Sequence, residues 1–173
     1  MITACLVLCW AGPVVSNDDP GFELVLDRAR NLLRARDVRS GEEGPVLRVA
    51  VGSPAHPTPP GRFRLGRVIF RPSWRPGAFA LDAGARAIGA SLRSPMGVAK
   101  LPFAENGGIA LHGGGDPDVL GKPVSSGCVR AADADLLRLI VWLELRDGLA
   151  PPRVEASGEI VRDLGRTARL HVY

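Results

Sequence analysis

The sequence LHGGGDPDVLGKPVSSGCVR, residues 111 to 130, decides which fold and which chemistry we expect of this chain. It sets an imidazole, His112, sixteen positions before a thiol, Cys128, and both lie among glycines. Glycine permits positive φ and lets another group approach closely, so two Gly-rich turns can bring these side chains together. A cysteine beside a histidine is the minimum equipment of an activated thiol nucleophile.

Several residues of this stretch suggest roles in acyl transfer. As a general base, His112 would take the proton of Cys128 and later protonate a leaving amine. A backbone carbonyl at or near Gly113 would hold the ring in the required tautomer. The turn of Ser126, Gly127 and Cys128 would aim backbone N–H groups at the developing oxyanion.

The roles of two other residues each have two interpretations. Arg130 suits a substrate carboxylate and suits equally a structural bridge within its loop. Trp74, in a proline-rich connector, lines a substrate groove or covers the edge of the core. A zinc site of Cys128, His112 and His171 is a further alternative, although the chain has no close ligand pair. We predict no metal and no cofactor.

Composition bounds the rest of the molecule. A chain of 173 residues is long enough for one domain with a core, and its 21 Gly and 15 Pro favour short strands over a helical bundle. The net charge of +4 comes largely from arginines spread along the chain, so we expect an acidic polymer or a merely soluble surface and no nucleic acid.

The first forty residues predict two segments. Residues 1–16 contain an apolar run of signal-peptide length, without a basic start, and Ile2-Thr3-Ala4-Cys5 also resembles a lipoprotein box. Residues 17–40 predict an amphipathic helix that begins at Asp19-Pro20, with apolar residues at helical spacing and arginines on the other face. We therefore expect an exported protein, periplasmic or associated with the cell envelope.

The middle of the chain predicts a mainly β, α+β domain over residues 46–156. Val46 to Val51 and Arg62 to Phe70 are strand-like, and the prolines between them predict a rigid loop. Ile109 to Leu111 would be a short strand that presents His112, and a buried helix capped by Asp133 would follow Cys128.

The end of the chain carries weaker signals. Arg153 to Ala156 predicts a closing strand, and residues 157–173 predict a tail that adds at most an edge strand.

At this point the residues resemble a known family. His112-Gly113 and the run from Ser125 to Arg130 are similar to the active-site signature of the L,D-transpeptidase catalytic domain. The segment Pro57 to Phe63, Trp74 and the turn Pro95-Met96-Gly97 resemble further elements of that family, in its order. Position 126 is Ser where the commonest pattern has His, so a hydroxyl stands in place of a second imidazole.

The resemblance implies an L,D-transpeptidase-like β-sandwich of mixed strands and a function in peptidoglycan cross-linking. Cys128 would attack the L,D-peptide bond of a donor tetrapeptide stem, release D-alanine and pass the acyl group to an acceptor amine. Arg130, Ser125 and Trp74 would contact the stem peptide. Carbapenem-type inhibitors would acylate the thiol, and no stable protein partner is implied. The alternatives are an L,D-carboxypeptidase, with water as acceptor, and a non-catalytic wall-binding module.

Overall fold

The computed structural model describes residues 21–77, 81–104 and 108–173, and the described part is built mainly from strands. Ten strands and a three-turn helix follow one another along the chain. They are β1 (Phe22–Asp27), β2 (Leu32–Asp37), β3 (Glu43–Gly52), β4 (Gly61–Phe70), β5 (Ala99–Pro102), β6 (Ala110–His112), β7 (Pro123–Ser125), β8 (Val129–Ala131), α1 (Asp133–Glu144), β9 (Arg153–Val154) and β10 (Ile160–Val172). The prediction of a mainly β fold with a helix after Cys128 is therefore confirmed.

The strands form a sheet that closes on itself. Its order is β1-β2-β3-β8-β6-β5-β4-β10, and β10 pairs in parallel with β1 to complete the ring. β9 pairs with the start of β10, and β7 pairs with the end of β3. Closure leaves few unpaired edges and gives the sheet an inside, which holds the core, and an outside, where polar side chains lie.

The predicted helix over residues 17–40 is wrong where the structure describes it. β1 and β2 form an antiparallel hairpin, while Asp19-Pro20 and residues 1–16 lie outside the described residues. The Asp27 carboxylate accepts hydrogen bonds from the backbone and guanidinium of Arg30 and so stabilises the turn. Asn31 adopts a φ of 55°, which ends the turn. Alternate residues of both strands are buried, so the true period was two.

The C-terminal segment is a central strand and not the predicted tail. β10 pairs with β4 along its length and with β1 and β9 on its other edge, with a break in register between Asp163 and Ala168. Arg166 lies in this break and is buried, and both nitrogens of its fork bond the Asp37 carboxylate at 2.8 Å. The hydrogen bond from Arg166 lowers the pKa of Asp37 to about 2. This buried pair joins the hairpin to the last strand.

The core fills the inside of the ring, and α1 packs against β3 and β5. The helix buries Leu136, Leu139, Ile140 and Leu143, while Leu137 and Val141 are exposed. It is therefore amphipathic, whereas the sequence predicted a buried helix. Among the described residues no helix is long and apolar enough to cross a membrane.

Candidate functional site

Two short parallel strands present the cysteine and the histidine on one face of the sheet. Leu111 on β6 pairs with Val129 on β8, and both side chains enter the core. Because side chains alternate along a strand, His112 and Arg130 point to the outside, and Cys128, just before Val129, follows the same alternation. The structure thus brings Cys128, His112 and Arg130 to one outer face.

His112 is buried, with 2% of its surface exposed, and one ring nitrogen has a fixed partner. Its Nδ1 lies 2.6 Å from the carbonyl oxygen of Gly113. A carbonyl only accepts hydrogen bonds, so Nδ1 carries the proton and the neutral ring keeps a basic lone pair on Nε2. Burial lowers the pKa of His112 to about 4, so the imidazole is neutral at physiological pH.

Cations flank the imidazole on both sides along the sheet. Lys100 on β5 pairs with His112, which in turn pairs with Arg130 on β8. Both charges add to the effect of burial and lower the pKa of His112 further. Lys100 Nζ also contacts Glu159 and the carbonyl of Ser73, each at 3.3 Å.

Glu159 fastens the connection that covers this part of the sheet. Its Oε1 accepts hydrogen bonds from the backbone N–H and the hydroxyl of Ser73 at 2.7 and 2.9 Å. Burial alone would raise the pKa of Glu159, but the hydrogen bonds from Ser73 and the charge of Lys100 outweigh it, and the pKa is lowered. The carboxylate therefore stays charged and holds the start of the connection between β4 and β5.

The Cys128 thiol lies over the start of β6. Its Sγ is 4.0 Å from the carbonyl oxygen of Gly108. Burial raises the pKa of Cys128, and the backbone of Ala110 and the charge of Arg130 offset this only in part. In the resting protein the thiol of Cys128 is therefore protonated and the imidazole of His112 is neutral, so the two do not form a thiolate and an imidazolium in advance.

Hydrogen bonds from buried hydroxyls shape the turn that carries Cys128. Ser125 Oγ donates to the carbonyl of Cys128 at 2.5 Å and accepts from the N–H of Gly127 at 3.1 Å. Thr58 Oγ1 donates to the carbonyl of Gly127 at 2.9 Å and accepts from the N–H of Gly52 at 2.8 Å. The turn is thus fastened both within itself and to the loop after β3.

These contacts change two sequence predictions. The N–H of Gly127 is bonded to Ser125, so it is not available as the predicted oxyanion donor. Ser125 is buried and its hydroxyl proton is donated to Cys128, so it shapes the turn instead of contacting a substrate as predicted. Ser126 is exposed at the turn, and the backbone N–H groups of Ser126 and Cys128 are the remaining candidates for an oxyanion.

Arg130 is half-buried beside His112, and its guanidinium makes no ion pair or hydrogen bond with any part of the chain that the structure describes. The predicted structural bridge within its loop is therefore absent among those residues. An arginine held on a sheet with its fork unused is suited to a carboxylate ligand.

Two other predicted residues have contacts of their own. Trp74 is half-buried in the β4–β5 connection, where its backbone pairs with Ile88. His171 lies on β10 with Nδ1 3.6 Å from a carboxylate oxygen of Glu23, so the alternative zinc set with Cys128 is not assembled. Across residues 21–77, 81–104 and 108–173, no three His, Cys, Asp or Glu side chains are grouped to hold a metal ion.

Asp133 is the residue whose role the sequence mistook. The helix N-cap is Ala132, without a side-chain cap, and Asp133 is the first helical residue. Its Oδ1 instead accepts hydrogen bonds from the N–H of Gly114 at 2.8 Å and of Val98 at 3.1 Å. It therefore connects the helix to the loop after His112 and to the segment before β5.

The protein is thus of a class with a closed β structure and a thiol site, in which a cysteine directly precedes one of two adjacent parallel strands and a neutral histidine ends the other. The family model described as YkuD, L,D-transpeptidase catalytic domain, matches residues 22–156. The chain belongs to the L,D-transpeptidase catalytic domain family. The match begins at the first residue of β1, so the hairpin is part of the domain that the sequence predicted to begin at residue 46.

Solved structures give the same fold. The chain is similar to an L,D-transpeptidase from Mycobacterium tuberculosis H37Rv, with a TM-score of 0.56 and 17% identity over 89% of this chain and 58% of that one. For an L,D-transpeptidase from Mycobacterium smegmatis the TM-score is 0.52 and the identity 18%, over 88% of this chain and 58% of that one.

A third structure contains a modified enzyme. L,D-transpeptidase 3 from Mycobacterium tuberculosis, in complex with a faropenem-derived adduct, gives a TM-score of 0.55 and 17% identity over 88% of this chain and 60% of that one. This chain thus spans about three fifths of the length of these relatives. A search of curated proteins found no match.

Lys100, Thr58 and Asp133 are the residues of the site that sequence reasoning missed or misassigned. Thr58 stands inside a segment that the family resemblance covers, and its position before two prolines was the available signal. Lys100 alternates with buried residues on β5, but its place beside His112 depends on a strand register that the sequence does not reveal.

Proposed function

We propose that the protein is a peptidoglycan L,D-transpeptidase in which Cys128 is the nucleophile and His112 is the general base. The observation that supports the proposal is the parallel register of β6 and β8: His112 pairs with Arg130, and Leu111 pairs with Val129, the residue directly after Cys128. Membership of the L,D-transpeptidase family supports the substrate class.

In the acylation half-reaction, Sγ of Cys128 attacks the carbonyl carbon of the L,D-peptide bond in a donor tetrapeptide stem. His112 Nε2 takes the thiol proton as the S–C bond forms, because its lone pair is free while Nδ1 is bonded to Gly113. The tetrahedral oxyanion is stabilised by backbone N–H groups of the turn. The imidazolium then gives its proton to the departing nitrogen, D-alanine leaves, and a thioester remains.

In the second half-reaction, an amine of a neighbouring stem attacks the thioester carbonyl. His112 takes a proton from that amine, the C–S bond breaks, and the proton returns to the sulfur of Cys128. The product is a new amide bond, and the thiol and neutral imidazole are restored. If water takes the place of the amine, the same site is an L,D-carboxypeptidase and the product is a tripeptide stem.

Arg130 is proposed to bind the terminal carboxylate of the donor stem. Its fork is unused among the described residues, it lies next to His112 along the sheet, and its charge reaches Cys128. We also propose that the protein works in the cell envelope, where its substrate would be found. A carbapenem-type inhibitor is expected to acylate Cys128, in line with the faropenem-derived adduct of the relative from Mycobacterium tuberculosis.

Incubation with purified tetrapeptide muropeptides, followed by mass spectrometry, tests the function. Cross-linked dimers with loss of D-alanine are the expected products, and tripeptides alone would select the carboxypeptidase. Cys128→Ala is expected to abolish both products. Ser126→Ala, which changes an exposed neighbour in the same turn, serves as the matched control for folding and handling.

A carbapenem provides an independent measurement on the intact protein. The expected adduct adds the mass of the drug to the wild-type chain and to Ser126→Ala, and not to Cys128→Ala. If the folded wild-type protein gives neither products nor adduct, the enzymatic proposal is wrong and a wall-binding module is favoured.

A further inference from the structure

We propose that Asp133 is a positioning residue for His112 and acts on the imidazole through one peptide group. This inference rests on the proposed function, since it assigns to Asp133 a part in the same proton transfer. In many hydrolases a carboxylate contacts the catalytic histidine directly. Here the peptide between Gly113 and Gly114 would stand between the two.

The geometry of that peptide carries the proposal. Its carbonyl, on Gly113, accepts the Nδ1 proton of His112 at 2.6 Å. Its N–H, on Gly114, donates to Oδ1 of Asp133 at 2.8 Å. In a trans peptide the N–H and C=O point in opposite directions, so carboxylate, peptide and imidazole form one chain of hydrogen bonds. A carboxylate on the N–H polarises the peptide and makes its carbonyl a stronger acceptor.

The glycines around the Asp133 carboxylate leave the space that this contact needs. A Cβ on Gly113 would lie 2.0 Å from Asp133 Oδ1, and a Cβ on Gly97 would lie 2.2 Å from the same oxygen. Side chains at either position would therefore displace the carboxylate. The glycines next to His112 and in the turn before β5 thus leave the space that Asp133 occupies.

The charges around the His112 ring explain what the Asp133 carboxylate contributes. The charged groups that face His112 are Lys100 on β5, Arg130 on β8 and Asp133 at the start of α1. The two cations and burial disfavour the imidazolium that acyl transfer needs, whereas Asp133 favours it. Asp133 is the one anionic group among these three, so it offsets the cations when the ring takes a proton.

Asp133→Asn tests the relay because asparagine keeps an acceptor oxygen of the same reach and removes the charge. Asp135→Asn is the matched control: it removes the same charge two residues along α1, where the carboxylate pairs with Arg138 at 2.6 Å. We expect Asp133→Asn to lower kcat for D-alanine release about tenfold, the equivalent of one pKa unit in the base, with KM unchanged. Asp135→Asn should leave both constants unchanged.

The second readout does not depend on activity. The Nδ1 proton of His112 should appear at low field in the proton NMR spectrum of the folded wild-type protein, and it should move upfield in Asp133→Asn and not in Asp135→Asn. Equal resonances and equal kcat in the two variants would overturn the relay. If the wild-type protein releases no D-alanine, the proposed function fails, and the resonance alone then decides whether Asp133 acts on the ring.

Discussion

We expect the turn that carries Cys128 to be most sensitive to the loss of one hydroxyl group, that of Thr58. Thr58 is 1% exposed and joins the carbonyl of Gly127 to the N–H of Gly52. Valine has nearly the same shape but leaves both backbone groups without this partner. An unsatisfied buried polar group costs about 1 to 3 kcal/mol, so Thr58→Val should lower the free energy of unfolding by about 2 to 6 kcal/mol.

Chemical denaturation followed by tryptophan fluorescence measures this loss, with Thr58→Ser as the control that keeps the hydroxyl. The serine variant should lose only about 1 kcal/mol of the free energy of unfolding, since it removes a methyl group and keeps the hydroxyl. The rate of carbapenem acylation should fall further in Thr58→Val than in Thr58→Ser, because Gly127 directly precedes Cys128, the residue proposed to react. A valine variant as stable and as reactive as the serine variant would refute the reasoning.

Three further predictions follow from the charged and titratable groups. The pKa of His112 is lowered from 6.5 to about 4, so between these pH values the unfolded chain binds a proton that the folded protein does not bind. Unfolding measurements should therefore show that about 3 kcal/mol of stability is present above pH 6.5 and is lost as the pH falls to 4. His112→Gln should show a smaller loss over the same range. The pKa of Cys128 is raised, so its alkylation by iodoacetamide should keep accelerating above pH 9; a plateau below pH 7 would contradict a neutral resting pair. Arg166→Met should cost about 3 to 5 kcal/mol in denaturation because it strands the buried Asp37 carboxylate, and a loss below 1 kcal/mol would disprove that account.

The sequence predicted the parts of the fold whose signals are local. Val46 to Val51 and Arg62 to Phe70 lie within strands β3 and β4, and a helix follows the site as expected, although Asp133 is its first residue and not its cap. The hairpin was missed because its apolar residues match helical spacing and strand alternation at once. The local turn, in which the Asp27 carboxylate accepts the N–H of Arg30 and Asn31 has a φ of 55°, favours the hairpin. The pairing of β1 with β10 adds a contact, distant along the chain, that the sequence does not reveal.

The sequence predicted which residues form the site, but not the strand register and hydrogen bonds that arrange them. His112, Cys128 and Arg130 follow from the motif, but their common face depends on the parallel register of β6 and β8, and the sixteen residues between those strands, β7 included, carry no local signal for it. The glycines suggested turns that let the side chains of His112 and Cys128 approach each other closely. In the structure Gly113 and Gly97 make room for Asp133, so the same residue type serves a fixed internal contact.

The arrangement of charges suggests how a buried, weakly basic histidine could still serve as a general base. Burial, together with the charges of Arg130 and Lys100 on either side, lowers the pKa of His112 and holds the ring neutral in the free protein, so Nε2 keeps a lone pair that can accept a proton. A donor stem that places its carboxylate on Arg130 would cancel part of this positive field and raise the basicity of the ring when substrate is bound. The carboxylate would leave with D-alanine, which has already taken the proton of the ring, and the restored positive field would keep the imidazole neutral until the acceptor amine attacks.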